Sequence, residues 1–192
     1  GRLPPWLEAR ARALGYERPT EVQARALGPA FEGLDLVVQA ETGSGKTLAY
    51  LLPALAAADP SRAAVQAVVF VPTRELGVQV ARVARQLAAG MGPPGKRPSV
   101  LALLERSRGE RQRRWLRAEP PHLIIANAAP FAEAQRTGAL RAAAVRLVVV
   151  DEVDECLARR SDVLNALLAP AGEGDPGDTG AGAAAGSGAG AE

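Results

Sequence analysis

The sequence predicts an α/β fold, an open and doubly wound parallel sheet with helices on both faces. Short β-rich runs alternate with helical patterns over the first 170 residues. The runs are continuously apolar (Ala-Val-Val-Phe-Val, Leu-Val-Val-Val), the form strands take when both faces of a parallel sheet are covered. Alternation of this kind joins parallel strands through crossover helices. The chain has 192 residues, 47% hydrophobic and 23% charged, which suits one ordinary domain; with 4% aromatics, aliphatic side chains and alanine must build its core.

In chain order, helical patterns near 6–14 and 21–31 precede a first strand at 36–40. Helix 46–57, strand 67–71, helix 74–89 and strand 100–103 follow. Helix 109–118, strand 122–126, helix 131–137, strand 147–150 and helix 155–168 complete the body. From 171 to 192 the chain is mostly Gly and Ala with scattered acids and has no large apolar residue to bury, so burial cannot offset its ordering entropy. The expected division is a body at 1–170 and a disordered linker or tail at 171–192. Ligands on such sheets sit beyond the carboxyl ends of the strands.

Charge and composition exclude several classes. The net charge of +2 combines +6 over 1–170 with −4 over 171–192. Cys156 is the single cysteine, so an internal disulfide is impossible. His122 is the single histidine, which argues against Cys/His zinc sites and Ser-His-Asp or Cys-His catalysis; both residues read as packing residues. The longest apolar stretch, 48–58, contains Pro53 and is far too short for a membrane span. A soluble, intracellular and monomeric chain with no membrane contact is expected. The chain begins with Gly1 rather than Met, so it reads as processed or excised from something longer.

The strongest chemical signal is Glu41-Thr42-Gly43-Ser44-Gly45-Lys46-Thr47 between an apolar run and a helical pattern. Glycines let backbone N–H groups turn inward around phosphate oxygens, and the helix N-terminus adds its positive dipole end. Lys46 would reach the β and γ phosphates and Thr47 would offer a hydroxyl to Mg²⁺. Ala40 stands where the strict phosphate-loop pattern has its first Gly. The run Leu147-Val148-Val149-Val150 ends in Asp151-Glu152, two carboxylates at a strand's C-terminal edge. Asp151 would hold Mg²⁺ and Glu152 would orient the attacking water, with Lys46, Asp151 and Glu152 as the catalytic set and Thr47 and Asp151 as the metal set.

Together these motifs resemble the DEAD-box RNA helicases over residues 6 to 160. The acidic motif is present as Asp151-Glu152-Val153-Asp154, the phosphate loop as Ala40 to Thr47, and the Ia motif as Pro72-Thr73-Arg74-Glu75-Leu76. The adenine-reading Q motif is present as Gly15-Tyr16-Glu17-Arg18-Pro19-Thr20-Glu21-Val22-Gln23. The resemblance implies a P-loop NTPase fold with a RecA-like sheet, and ATP and Mg²⁺ as cofactors. It implies that Gln23 pairs with the adenine edge, Tyr16 and Arg18 pack on the base, and Trp6 is the upstream aromatic. Thr42, Gly43, Ser44, Gly45, Lys46 and Thr47 would cradle the phosphates. Thr73 and Arg74 would contact RNA, and Asp154 would couple to a second lobe. A Gln amide, both donor and acceptor, suits the N6/N7 edge of adenine, and flat aromatic and guanidinium groups stack on purines. The segments 65–89, 113–121 and 145–154 also resemble plastid DEAD-box helicases of plants and green algae, which implies a chloroplast location.

The sequence departs from that pattern in places. No Gly-Gly pair lies near Leu103-Leu104-Glu105-Arg106, and Asn127-Ala128-Ala129-Pro130 stands where the family has T-P-G-R. Both motifs grip the RNA backbone in the family. Val153 replaces Ala in the acidic motif. The Ser-Ala-Thr motif is missing before the Gly/Ala tail, and so is the second RecA-like lobe, which supplies the family's arginine finger. The Ser-Ala-Thr strand lies between the phosphate-loop and acidic-motif strands in the family, so an incomplete sheet with exposed strand edges is expected. The chain therefore reads as a fragment or truncated product. The cluster Arg106, Arg108, Arg111, Arg113, Arg114 and Arg117 around Trp115 reads as a solvated helix face rather than an RNA surface, because arginines at 111, 113 and 114 cannot share one face.

The leading reading is the ATP-binding lobe of a helicase coupling ATP hydrolysis to sequence-independent RNA binding and remodelling, weak or inactive without its second lobe. A non-catalytic ATP-binding RNA scaffold is the alternative. A P-loop ATPase acting on DNA or protein is the third, and the Gln23 motif argues against it.

Overall fold

The computed structural model describes residues 3–89, 97–105 and 109–159. Its elements are α1 (Pro5–Ala13), α2 (Glu21–Phe31), α3 (Lys46–Ala56), β1 (Ala67–Phe70), α4 (Arg74–Ala88), β2 (Val100–Leu103), α5 (Gly109–Ala118), β3 (Leu123–Ala126), α6 (Ala128–Arg136), β4 (Leu147–Val150) and α7 (Val153–Arg159). The strands form one parallel sheet in the order β2-β3-β1-β4. Register is continuous across it: Val69 stands beside Ile125 on one side and Val149 on the other.

The period of two along a strand sorts side chains between two cores. Ala67 and Val69 of β1 and Leu123 and Ile125 of β3 join Leu51 and Leu55 of α3 and Val80, Ala84 and Leu87 of α4. Val68, Phe70, Ile124 and Ala126 face the other way, onto Leu116 of α5 and Phe131 and Ala134 of α6. The Phe70 and Phe131 rings meet edge to face at 5.0 Å and 78°. Helices thus cover both faces, which is why β1 and β3 read as unbroken apolar runs.

The expected helix at 131–137 begins three residues earlier, at Ala128. Pro130 falls in the first turn, where its missing N–H has no partner within the helix to lose. The helix expected at 155–168 begins at Val153; its residues beyond 159, the tail at 171–192, and Arg106 and Arg108 of the basic cluster lie outside the described residues.

The strand expected at 36–40 does not form. Val37 is fully exposed, Leu36 is 43% exposed and Val38 41%. An apolar run becomes a strand only when a neighbouring edge takes up its N–H and C=O groups. Here β4 pairs with β1 alone and its other edge is open among the described residues. A groove of about 300 Å³ separates that edge from the 34–38 segment, with Leu34, Leu36 and Val38 on one wall and Leu147, Val148 and Val149 on the other. The exposed edge expected of an incomplete sheet is therefore present among the described residues, and the loop before Lys46 is positioned by the start of α3 rather than by a strand.

Candidate functional site

The loop before α3 bends through left-handed backbone at Gly43 (φ 85°) and Gly45 (φ 97°). Gly45 is required twice over, since a Cβ there would lie 2.5 Å from Gln23 Nε2 and 3.0 Å from Thr20 Oγ1. Gln23 is buried and hydrogen-bonded at both ends of its amide: its Oε1 accepts from the Thr20 amide at 3.1 Å and one Nε2 hydrogen is donated to the Gly45 carbonyl at 3.0 Å, so each end keeps capacity for one further bond. The Q-motif glutamine is thus packed directly on the phosphate loop. Lys46 Nζ donates to the carbonyls of Ala40 and Glu41, the latter at 3.2 Å, so the ammonium lies within the concavity of its own loop. The Ser44 hydroxyl is buried with no hydrogen-bond partner among the described residues. A buried orphan hydroxyl in a Gly-rich turn at a helix N-terminus fits a phosphate group.

The acidic motif sits across the groove. The Asp151 amide extends the sheet ladder to the Phe70 carbonyl at 2.9 Å, and the chain then turns sharply at Glu152, whose φ of 48° is left-handed for a non-glycine residue. Asp151 Oδ1 accepts from the Glu152 amide at 3.0 Å, and Oδ2 accepts from the Tyr50 hydroxyl at 2.8 Å. Lys46, Tyr50 and Asp151 are among the residues that line one groove. No group of three or more His, Cys, Asp or Glu that could cage a metal occurs among the described residues.

The electrostatics follow from burial first and from the neighbouring acids second. Burial, then the Asp151 charge and its hydrogen bond, push the Tyr50 phenol far above its ordinary value, so it stays a donor. Partial desolvation, a Glu155 hydrogen bond and the Asp151 charge raise Glu152. Burial raises the Cys156 thiol to about 11, with the Asp151 charge adding to it, and the thiol lies 3.3 Å from the Asp151 carbonyl. Cys156 is thus an inert packing residue, as the sequence suggested.

The remaining candidates are more dispersed. Trp6 packs against the core with Leu7, while Tyr16 and Arg18 are exposed beyond Gly15 (φ 88°). Thr73 caps α4 by accepting from the Leu76 amide at 3.2 Å; Arg74 is exposed and donates to the Glu105 carbonyl at 2.8 Å. Asp154 is exposed in the first turn of α7.

Two residues escaped the sequence reading. Tyr50 lies four residues after Lys46 and three after Thr47, hence on their face of α3, and that spacing was the available signal. Buried Asn127 donates to the Val71 carbonyl at 2.8 Å and accepts from the Glu105 amide at 3.0 Å, tying three strand ends together. Nothing in the sequence announces that role.

A family model described as DEAD/DEAH box helicase matches residues 20–174. The chain is 46% identical over 154 residues to a protein of Oryza sativa subsp. japonica named DEAD-box ATP-dependent RNA helicase 58, chloroplastic, covering 80% of this chain and 34% of that one. It is 44% identical over 154 residues to the Arabidopsis thaliana protein of the same name, with coverage of 80% and 33%. Its fold is similar to that of S. cerevisiae Dbp5 solved with Nup159, Gle1, IP6 and ADP, at a TM-score of 0.72 and 22% identity, covering 86% of this chain and 43% of that one. The chain spans about a third of the length of those two plant relatives.

Proposed function

The chain belongs to the DEAD/DEAH box helicase family, and from that premise we propose that it is the ATP-binding lobe of an RNA helicase whose second RecA-like lobe lies elsewhere in a longer parent. Its task is to bind ATP with Mg²⁺ and couple hydrolysis to sequence-independent RNA binding and remodelling. The observation that supports this is that Lys46, at the start of α3, and Asp151, at the end of β4, line one groove.

In this reading Gly43 to Thr47 cradle the phosphates, Lys46 leaves its loop carbonyls for phosphate oxygens, and Gln23 reads adenine from its seat against Gly45. Thr47 and Asp151 would hold the ion, whose chemistry there would be to neutralise phosphate charge. Glu152 holds and aims the attacking water. Thr73 and Arg74 contact the RNA backbone, contributing phosphate and ribose contacts that carry no sequence information. Asp154 couples to the second lobe. The lobe by itself binds ATP weakly and turns it over negligibly, because the charge-stabilising arginine belongs to the other lobe. The relatives' names support a chloroplast location, and among the described residues no helix is long and apolar enough to cross a membrane.

The test is RNA-stimulated ATPase in the full-length protein. Lys46→Ala should lower turnover at least about 100-fold, an effect typical of removing a charge-stabilising group at the reacting phosphate. A second reading, an ATP-binding RNA scaffold without turnover, draws support from the engagement of Asn127 and Arg74 in contacts within the chain at the RNA-facing strand ends. ATP binding with no stimulation by RNA would favour it.

A further inference from the structure

We propose that Tyr50 is a positioning residue that sets the Asp151 carboxylate for its metal-facing role, by the hydrogen bond from its hydroxyl to Oδ2. The inference rests on the reading of Asp151 given above. Tyr50 lies one turn into α3 from Lys46 and Thr47, and it reaches 101 residues along the chain to meet Asp151 at 2.8 Å. The Glu152 amide holds the other carboxylate oxygen at 3.0 Å. With one donor on each oxygen, rotation of the carboxylate is stopped from two sides, yet each oxygen keeps acceptor capacity for a metal-bound water.

Packing alone does not account for a tyrosine here. The ring lines a groove with Ala26, Leu36, Ala49 and Pro53, and a phenylalanine ring would fill the same space without a half-buried hydroxyl to satisfy. The tether also extends beyond Asp151. The Glu152 amide that binds Oδ1 belongs to the residue with left-handed backbone, so the carboxylate that Tyr50 orients is itself a support of that turn. One hydroxyl on α3 thus steadies both acids of the motif from outside it. A carboxylate facing a metal is ordinarily oriented by such an outer partner.

The experiment uses the full-length protein and a fluorescent ATP analogue, titrated with Mg²⁺ in wild type, Tyr50→Phe, Asp151→Asn and the double variant. Tyr50→Phe should raise the Mg²⁺ concentration for half-maximal binding about tenfold while leaving affinity at saturating Mg²⁺ within about twofold. In the Asp151→Asn background the same change should shift the midpoint little, because the tether acts through the carboxylate. An unshifted midpoint in Tyr50→Phe, or an equal shift in both backgrounds, overturns the inference while leaving the nucleotide site intact. Failure of the wild type to bind, or a midpoint indifferent to Asp151→Asn, instead defeats the underlying functional reading. Should Tyr50→Phe melt early, 3-fluorotyrosine placed at position 50 serves in its stead. Its fluorine resonance should move on adding Mg²⁺ to the nucleotide complex and stay still in Asp151→Asn; a resonance indifferent to Mg²⁺ in the otherwise wild-type protein overturns the inference.

Discussion

At the centre of the sheet, β1 and β3 are Val/Ile-rich and buried from end to end, whereas the mostly apolar run at 36–40 forms no strand and leaves Val37 fully exposed. The two regions differ in partners rather than in side chains. β1 has a neighbour on each side and a helix layer on each face. Among the described residues the 36–40 run pairs with no strand; its Leu36 and Val38 line a groove, and β4, which also lines it, exposes Val148. Apolar character supplies the drive for burial, but hydrogen-bonded neighbours decide whether it is realised as a strand. The candidate site lies where the two regions meet, with its acids on the last paired strand and its phosphate loop beyond the unpaired run.

That contrast can be tested by substitutions on either side. The largest effect is expected at Phe131→Ala, which empties the edge-to-face contact with Phe70 in the closed half. Such truncations cost about 3–5 kcal/mol, a large share of the ~5–15 kcal/mol that holds a domain together. Urea unfolding reads it, and a loss below about 1 kcal/mol would mean that this half is looser than its burial indicates.

A smaller effect comes with pH at the start of β3. His122 Nδ1 accepts from the Ser99 amide at 2.9 Å, and burial lowers the ring's affinity for a proton below its ordinary value of 6.5. The folded chain then binds fewer protons than the unfolded one just below pH 6.5, so this contribution to stability is complete above that pH and is lost as pH falls toward the lowered folded value. Melting temperature should drop on acidification below pH 6.5, and His122→Gln should flatten that slope. An equal slope in the variant would assign the loss to other groups.

The smallest effect belongs to the open margin. Val37→Ser removes an apolar side chain that is already in water, so stability should change by no more than about 0.5 kcal/mol. A larger loss in urea unfolding would mean that the run is covered rather than free in water.

The elements legible in the sequence were those whose signal is local. The apolar runs at Ala67–Phe70, Leu123–Ala126 and Leu147–Val150 became strands close to where they were read, and the helices after Lys46 and Arg74 likewise. The Gly-rich turn before Lys46 and the acids ending β4 needed only motif and position to identify. The 36–40 run misled because its apolar pattern matches that of the true strands and reports nothing about a neighbour. Tyr50 and Asn127 were missed because their importance lies in partners 101 and 56 residues away.

By itself the sequence determined the α/β alternation, the Gly-rich turn before α3 and the acidic strand end, because periodicity, glycine backbone freedom and charge are properties of neighbouring residues. Only the tertiary structure decided which apolar runs pair, that Gln23 is locked against Gly45, and that a tyrosine holds the aspartate across the groove. Those outcomes depend on hydrogen bonds between segments far apart in the chain. Such bonds form only once packing has brought their donors and acceptors together, and no local pattern along the chain reports that distance.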